Sequence, residues 1–276
     1  MRITTTLVLI ATLLALVSCG GSGSNFTQSL GLVLGDYQIL DLSTGAVESR
    51  STVADLATNP IYRSSKMVFR AIAAGSGTIG STVGSFGAQA DEVRTTVTST
   101  RYYIGVFEVT RDQWTLLAGT TPWTSQPSGL VGAAASDKPA CGLSRDAVTV
   151  ALIAWNAARS AQLALPTEGQ WEQACRAGTG GSFFWGEDRS DATVALYATV
   201  SETAGGVAGP RAVGQRSANA MGLYDMHGNI WELTTADTIR GGSWRDTLPM
   251  ARSANRIDLD QETAHPLVGV RLILSP

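Results

Sequence analysis

The stretch "KMVFRAI" (Lys66 to Ile72) alternates in the manner of a half-buried strand. "DYQILDLSTG" (Asp36 to Gly45) reads as an opening strand and turn, and "VTSTRYYIGVFEVT" (Val97 to Thr110) is rich in β-branched and aromatic residues. Between them, Gly75 to Gly87 is dense in Gly and Ser and reads as loop. Three helices have legible starts. Thr110 with Gln113 makes a capping box ahead of "WTLLAG". Ser144 caps "RDAVTVALIAWNAARSA", where Val148, Leu152, Trp155 and Ala158 fall on one stripe. Thr167 with Gln170 makes a second capping box behind Pro166. That helix would turn Trp171, Ala174 and Cys175 inward and end at Gly178. From Gly178 to Ala220 periodicity fades into Gly, Ala, Ser and Thr, with "FFWG" near the start. Such a length of irregular backbone calls for pinning by metal, aromatics or ligand. Short strands return at "IRGGSW" and "VGVRLIL".

The first residues change the picture. Arg2 precedes an apolar run, Leu7 to Val17, about half of the ~20 residues a membrane-spanning helix needs. This is the layout of a signal peptide. It ends in "LVSC" followed by "GGSGS", which resembles the lipobox of bacterial lipoproteins. The resemblance implies cleavage before Cys19 and lipid on its sulfur. The organisation expected is a signal peptide over residues 1–18, a lipidated Cys19 with a tether over 19–35, and one domain over 36–276. The membrane would be met only through the lipid, at the cell envelope. The whole chain has 276 residues, 44% of them hydrophobic, and a formal charge of -3. No basic footprint for nucleic acid is present. Cys141 and Cys175 remain; one disulfide is possible in an exported protein, although Cys175 sits on the inward face of its helix, where a buried thiol fits.

Six motifs follow in one order: "FEVTRDQW", "LPTEGQWEQACRAG", "FWGEDRSD", "GLYDMHGNIWEL", "RGGSW" and "VGVRL". Together they resemble the formylglycine-generating enzyme, or sulfatase-modifying factor, family from Asp36 to the C-terminus. The resemblance implies an α+β, C-type-lectin-like fold: a few helices, short twisted sheets and much loop. It also implies one structural calcium, held by the side chains of Asp225 and Glu232 and the carbonyls of Gly228 and Ile230, a set whose oxygen chemistry suits that ion. A second family calcium site is expected to be lost, because Leu196 and Gly205 stand where oxygen ligands would. In catalytic members two cysteines after the "GGSW"-type motif bind copper(I), which soft thiolates favour, and oxidise a sulfatase cysteine to formylglycine. Those positions are Asp246 and Ala251 here, so no copper is expected. An iron site would have to use His227 and His265, the two histidines of the chain.

Other branches of the family serve as structural lipoproteins, and some display variable residues after "GGSW". The display segment here runs from Arg245 to His265. Arg245, Asp246, Arg252, Arg256 and His265 are the candidate ligand-binding residues within it, with Asp258, Asp260 and Glu262 completing a mixed-charge face. Arg252 and Arg256 could equally tie loops together. Trp231 and Trp244 read as core. Arg145 and Ala164 depart from the family's pattern. The expectation is an exported, lipid-anchored, non-catalytic module that binds a protein or small molecule at the envelope. The alternatives are an enzyme with non-copper chemistry, led by Asp246, His265 and Arg256, and a retroelement-diversified binder.

Overall fold

The computed structural model describes residues 37–275. The expectations for the signal peptide, Cys19 and the tether therefore lie outside the described residues. Twelve strands and five α-helices make an α+β domain. The strands are β1 (Tyr37–Asp41), β2 (Val47–Arg50), β3 (Lys66–Ile72), β4 (Gly75–Ile79), β5 (Thr95–Ser99), β6 (Tyr102–Gly105), β7 (Gln162–Ala164), β8 (Trp231–Leu233), β9 (Thr238–Arg240), β10 (Arg256–Asp258), β11 (Val268–Gly269) and β12 (Ile273–Ser275). The helices are α1 (Arg111–Ala118), α2 (Ser128–Val131), α3 (Arg145–Ala157), α4 (Glu168–Arg176) and α5 (Asp191–Tyr197).

A six-stranded sheet runs β2-β1-β3-β6-β12-β7, and a four-stranded sheet runs β10-β9-β8-β11. The second sheet carries the loops of interest. One apolar cluster joins Trp114 of α1 and Leu152 and Trp155 of α3 to Phe69, Trp231 and Leu272. Another gathers Trp171 and Cys175 of α4 with Ile104, Phe107 and Met226.

Both capping boxes are made. Thr110 Oγ1 accepts from the Gln113 N–H and Gln113 Oε1 accepts from the Thr110 N–H; Thr167 and Gln170 repeat the exchange. Three details differ from the sequence reading. Ala177, not Gly178, takes the left-handed turn that ends α4 (φ 49°). Ala158 caps α3 and is exposed, so the buried stripe is Val148, Leu152 and Trp155, joined by Arg145. Part of the Gly/Ser stretch is strand: β4 pairs antiparallel with β5. A ladder needs only backbone, and glycine suits this one because a Cβ on Gly77 would sit 2.8 Å from the Gln173 amide of α4.

Helix α5 has no counterpart in the sequence reading. It is seven residues long, buries only Val194, and so leaves no period to read. The irregular chain around it is pinned by arginines and rings. Arg216 donates to the carbonyls of Ala195 and Thr203, and Arg211 to that of Ala204. Trp185 stacks between Phe183 and Tyr197, at 4.6 and 5.2 Å between centroids.

Candidate functional site

The segment from Arg240 to His265 leaves β9 through a double-glycine turn. Gly241 and Gly242 both have positive φ, and a Cβ on Gly242 would sit 2.9 Å from the Ala251 Cα. The two arms of the loop therefore touch, backbone to backbone. Within that turn Asp246 Oδ2 accepts three hydrogen bonds: from Trp231 Nε1 (2.8 Å), the Ser243 N–H (3.0 Å) and Ser243 Oγ (2.5 Å). Ala251 is fully buried, and its carbonyl faces His227 Nδ1 at 2.5 Å. At the two positions assigned to copper thiolates, one residue is a turn-closing carboxylate and the other a methyl group against the core.

The candidate residues separate into two groups. Arg252 is 1% exposed and holds Glu92 bidentately, both contacts at 2.6 Å, while its Nε donates to the Pro249 carbonyl. It belongs to the framework, and as a ligand-binding candidate it is corrected. Arg256 is one-third exposed and pairs with Glu168 (3.1 Å) and, more loosely, Asp91. Arg240 joins the same frame through Glu168 and Glu172. Arg245 is exposed and Asp246 half-buried. His265 stands close enough to Asp246 for the carboxylate to oppose the downward pull of burial on its pKa. Its Nδ1 accepts from the Leu267 N–H, which leaves the proton on Nε2 in the neutral ring. Beside them, Trp244 is half-buried, with an Nε1 that has no hydrogen-bond partner. Arg245, Asp246 and His265, with Trp244, are the accessible part of the loop.

His227 does not join His265. It is completely buried among Phe183, Phe184 and Trp185. Its Nε2 accepts from the Phe184 N–H and lies 3.6 Å from Cys175 Sγ. Burial pushes its pKa down to about 4 and that of the Cys175 thiol up to about 12. Both Cys141 and Cys175 are free and buried.

The expected calcium ligands Asp225, Gly228, Ile230 and Glu232 lie together just before and within β8, but they do not fit calcium as the resemblance sets it out. Glu232 Oε1 accepts from Arg271 Nη2 (2.7 Å) and Nε (3.1 Å), and Oε2 from Arg271 Nε (3.0 Å) and Trp171 Nε1 (2.5 Å). Three N–H groups thus occupy the carboxylate, the Arg271 Nε–H being shared between its two oxygens. Asp225 Oδ2 accepts from the Gly214 N–H. Among the described residues no group of three or more His, Cys, Asp or Glu side chains is placed to hold a metal ion. Gly228 has a different reason to be glycine: a Cβ there would fall 2.0 Å from the Thr199 carbonyl oxygen.

Glu108, within the "FEVT" motif, completes this cluster and was not singled out from the sequence. It accepts from Asn229 Nδ2 (2.6 Å) and the Ile230 N–H (3.2 Å). Burial, and then the charges of Asp225 and Glu232, hold its pKa well above the carboxylate range. Burial raises Asp225 to about 6. Arg271, buried with these acids, opposes their charge. Arg145, a departure from the family pattern, also has a structural role: it donates to the carbonyls of Thr234 and Leu259 and pairs with Asp237, tying α3 to the loops.

The sequence-family description "Sulfatase-modifying factor enzyme 1-like domain" matches residues 53–276. The chain belongs to this family. A curated relative, the formylglycine-generating enzyme of Mycobacterium tuberculosis, is 38% identical over 87 residues, which is 29% of each protein. The match thus spans under a third of that enzyme's length. Among solved structures, PvdO from Pseudomonas aeruginosa superposes with a TM-score of 0.66 at 22% identity, over 76% of this chain and 94% of that one. Treponema denticola variable protein 1 gives 0.65 at 19% identity, over 76% and 96%. At these identities the structural likeness speaks for the fold alone.

Proposed function

We propose that this family member is an exported, lipid-anchored protein whose domain binds a partner and does not oxidise one. Its working surface is the accessible tip of the C-terminal segment: Arg245, Asp246 and His265 beside Trp244. The observation that carries this reading is the fate of the two thiolate positions. Asp246 is engaged by Trp231 and Ser243, and Ala251 is sealed against Gly242. Neither offers the soft donor that copper(I) takes. The ligand is a protein or small molecule at the envelope, met by one cation, one anion, an imidazole and the exposed part of an indole ring.

Two measurements test it. A thiol-bearing sulfatase peptide, incubated with the purified protein under air and copper and read by mass spectrometry, should show no aldehyde; aldehyde formation would overturn the reading. A pull-down from detergent-solubilised envelope should lose its partner with Arg245→Ala or His265→Ala and keep it with Arg256→Ala. The anchor is tested by a fatty-acid probe, whose incorporation should vanish in Cys19→Ala. A second reading, an enzyme with other chemistry in the same cleft, has the proximity of Asp246 and His265 in its favour; stoichiometric iron or copper in the purified protein would support it. A near-copy of the Arg240 to Arg271 coding stretch beside a reverse transcriptase gene would favour the diversified binder.

A further inference from the structure

The buried arginines of the frame are each joined to a carboxylate: Arg176 to Glu172, Arg240 to Glu168, Arg252 to Glu92 and Arg271 to Glu232. Arg111, Lys138 and Arg211 are not. Arg111 opens α1 and is 3% exposed. Its Nη1 and Nη2 donate to the carbonyls of Ala133 and Val131, and so straddle Gly132. Its Nε is buried without a hydrogen-bond partner. Lys138 Nζ lies beside the same glycine, where a Cβ would come 2.8 Å from it. Gly132 is also met backbone to backbone by Gly209, whose own Cβ would fall 2.4 Å from the Gly132 Cα. That contact seats the loop from Ala204 to Arg211 here, and Arg211 Nη2 closes it by donating to the Ala204 carbonyl. Three cations from three segments thus gather around one glycine.

Among the described residues none of the three is joined to a carboxylate, and the Lys138 side chain makes no hydrogen bond. A carbonyl satisfies an N–H without neutralising its charge. Burial, and then the charges of Arg111 and Arg211, draw the pKa of half-buried Lys138 down; Asp137 opposes them, and it is shared with Arg63. Cations gathered in this way focus their field on an incoming anion. The surroundings leave it room: Ala133, Ala134, Gly205, Gly206 and Ala208 are all exposed and small. We propose that Lys138 and Arg211 bind a phosphate group, with Arg111 adding its charge from the buried side. Three positive charges less the one of Asp137 leave a surplus of two, which a phosphate dianion matches and a monocarboxylate does not. An ammonium and a guanidinium donating to phosphate oxygens make hydrogen bonds of the strong, charge-assisted kind. The site uses none of the tip residues. Its phosphate is either free or the headgroup of a phosphomonoester lipid.

The test compares melting midpoints in inorganic phosphate and in chloride at equal ionic strength, on the Cys19→Ser chain so that no lipid anchor contributes. Phosphate should raise the midpoint, and titration calorimetry should return one site per chain. Lys138→Gln breaks no hydrogen bond and relieves a repulsion, so in chloride it should melt no lower than its parent. Its phosphate affinity should fall at least about tenfold, the loss expected for one hydrogen bond between charged groups. Lys138→Arg keeps the charge and should keep the binding, and Arg245→Ala should bind as the parent does. Vesicles identify the source. Flotation with phosphatidic acid but not phosphatidylcholine, abolished by free phosphate and by Lys138→Gln, assigns the site to a lipid headgroup. A phosphate response without flotation assigns it to the free ion. A response to phosphate no larger than that to chloride, or one that Lys138→Gln leaves intact, overturns the inference.

Discussion

Arg252 and Arg245 belong to one loop and meet opposite surroundings. Arg252 lies at 1% exposure in a bidentate clasp with Glu92, a residue far away in the chain. Arg245 lies exposed at the tip, next to a carboxylate already engaged by the turn. The same residue type thus serves as frame in one place and as surface in the other. The frame is continuous: Arg240 with Glu168 and Glu172, Arg252 with Glu92, and Arg271 with Glu232. Irregular backbone has no ladder to satisfy its carbonyls, and these guanidiniums do so in its place, as Arg271 does for Gly105, Val106 and Tyr224. The tip, held at both ends, has no such duties.

The contrast breaks if frame and tip respond alike to substitution. The largest effect is expected for Arg252→Ala, which strands Glu92 without its partner and should cost about 3–5 kcal/mol in chemical denaturation. Joining Arg252→Met to Glu92→Leu should recover most of that loss. The next effect is on pH. His227 titrates near 4 when folded and near 6.5 when unfolded. The unfolded chain therefore binds the proton first as pH falls, and stability is lost between pH 6.5 and 4, by about 3 kcal/mol. Asp225, raised to about 6, acts with the opposite sign in the same window. The histidine's share is therefore the difference between the wild-type melts and those of His227→Gln; parallel curves would remove it. Trp231→Phe deletes the indole donor to Asp246 and should cost about 1.5 kcal/mol, since that bond reaches a carboxylate. Arg245→Ala should move the melt by less than about 0.5 kcal/mol while weakening partner capture. Smallest of all, a calcium chelator should leave the melting midpoint in place. A fall that added calcium reverses would return Glu232 to the role of ligand.

Much of the fold was legible because local chemistry dictates it. The capping boxes at Thr110 and Thr167 name their helices; Lys66 to Ile72 is a strand as read, but it does not alternate, since Met67 and Phe69 enter one core cluster and Val68 and Ile72 the other, burying both faces. Helix α5 and strand β4 were not legible: one buries a single side chain, and the other forms through backbone alone. For the site, the ordered motifs placed the segment, and Asp246 and Ala251 at the thiolate positions could be read directly. Sequence could not distinguish Arg252 from Arg245, because the distinction lies in Glu92, whose proximity only the fold creates. The same holds for Glu232, whose oxygens go to Arg271 and Trp171 through long-range packing.

Strand β12 lies in the interior of the larger sheet, flanked by β6 and β7. Ile273 to Ser275 thus join β7 to the four strands β2-β1-β3-β6, so the sheet is complete only once a segment more than 150 residues beyond β6 has docked. Contacts this distant along the chain close slowly. A cut ahead of Ile273 would leave β7 as a single strand with no neighbour to join it to the other four.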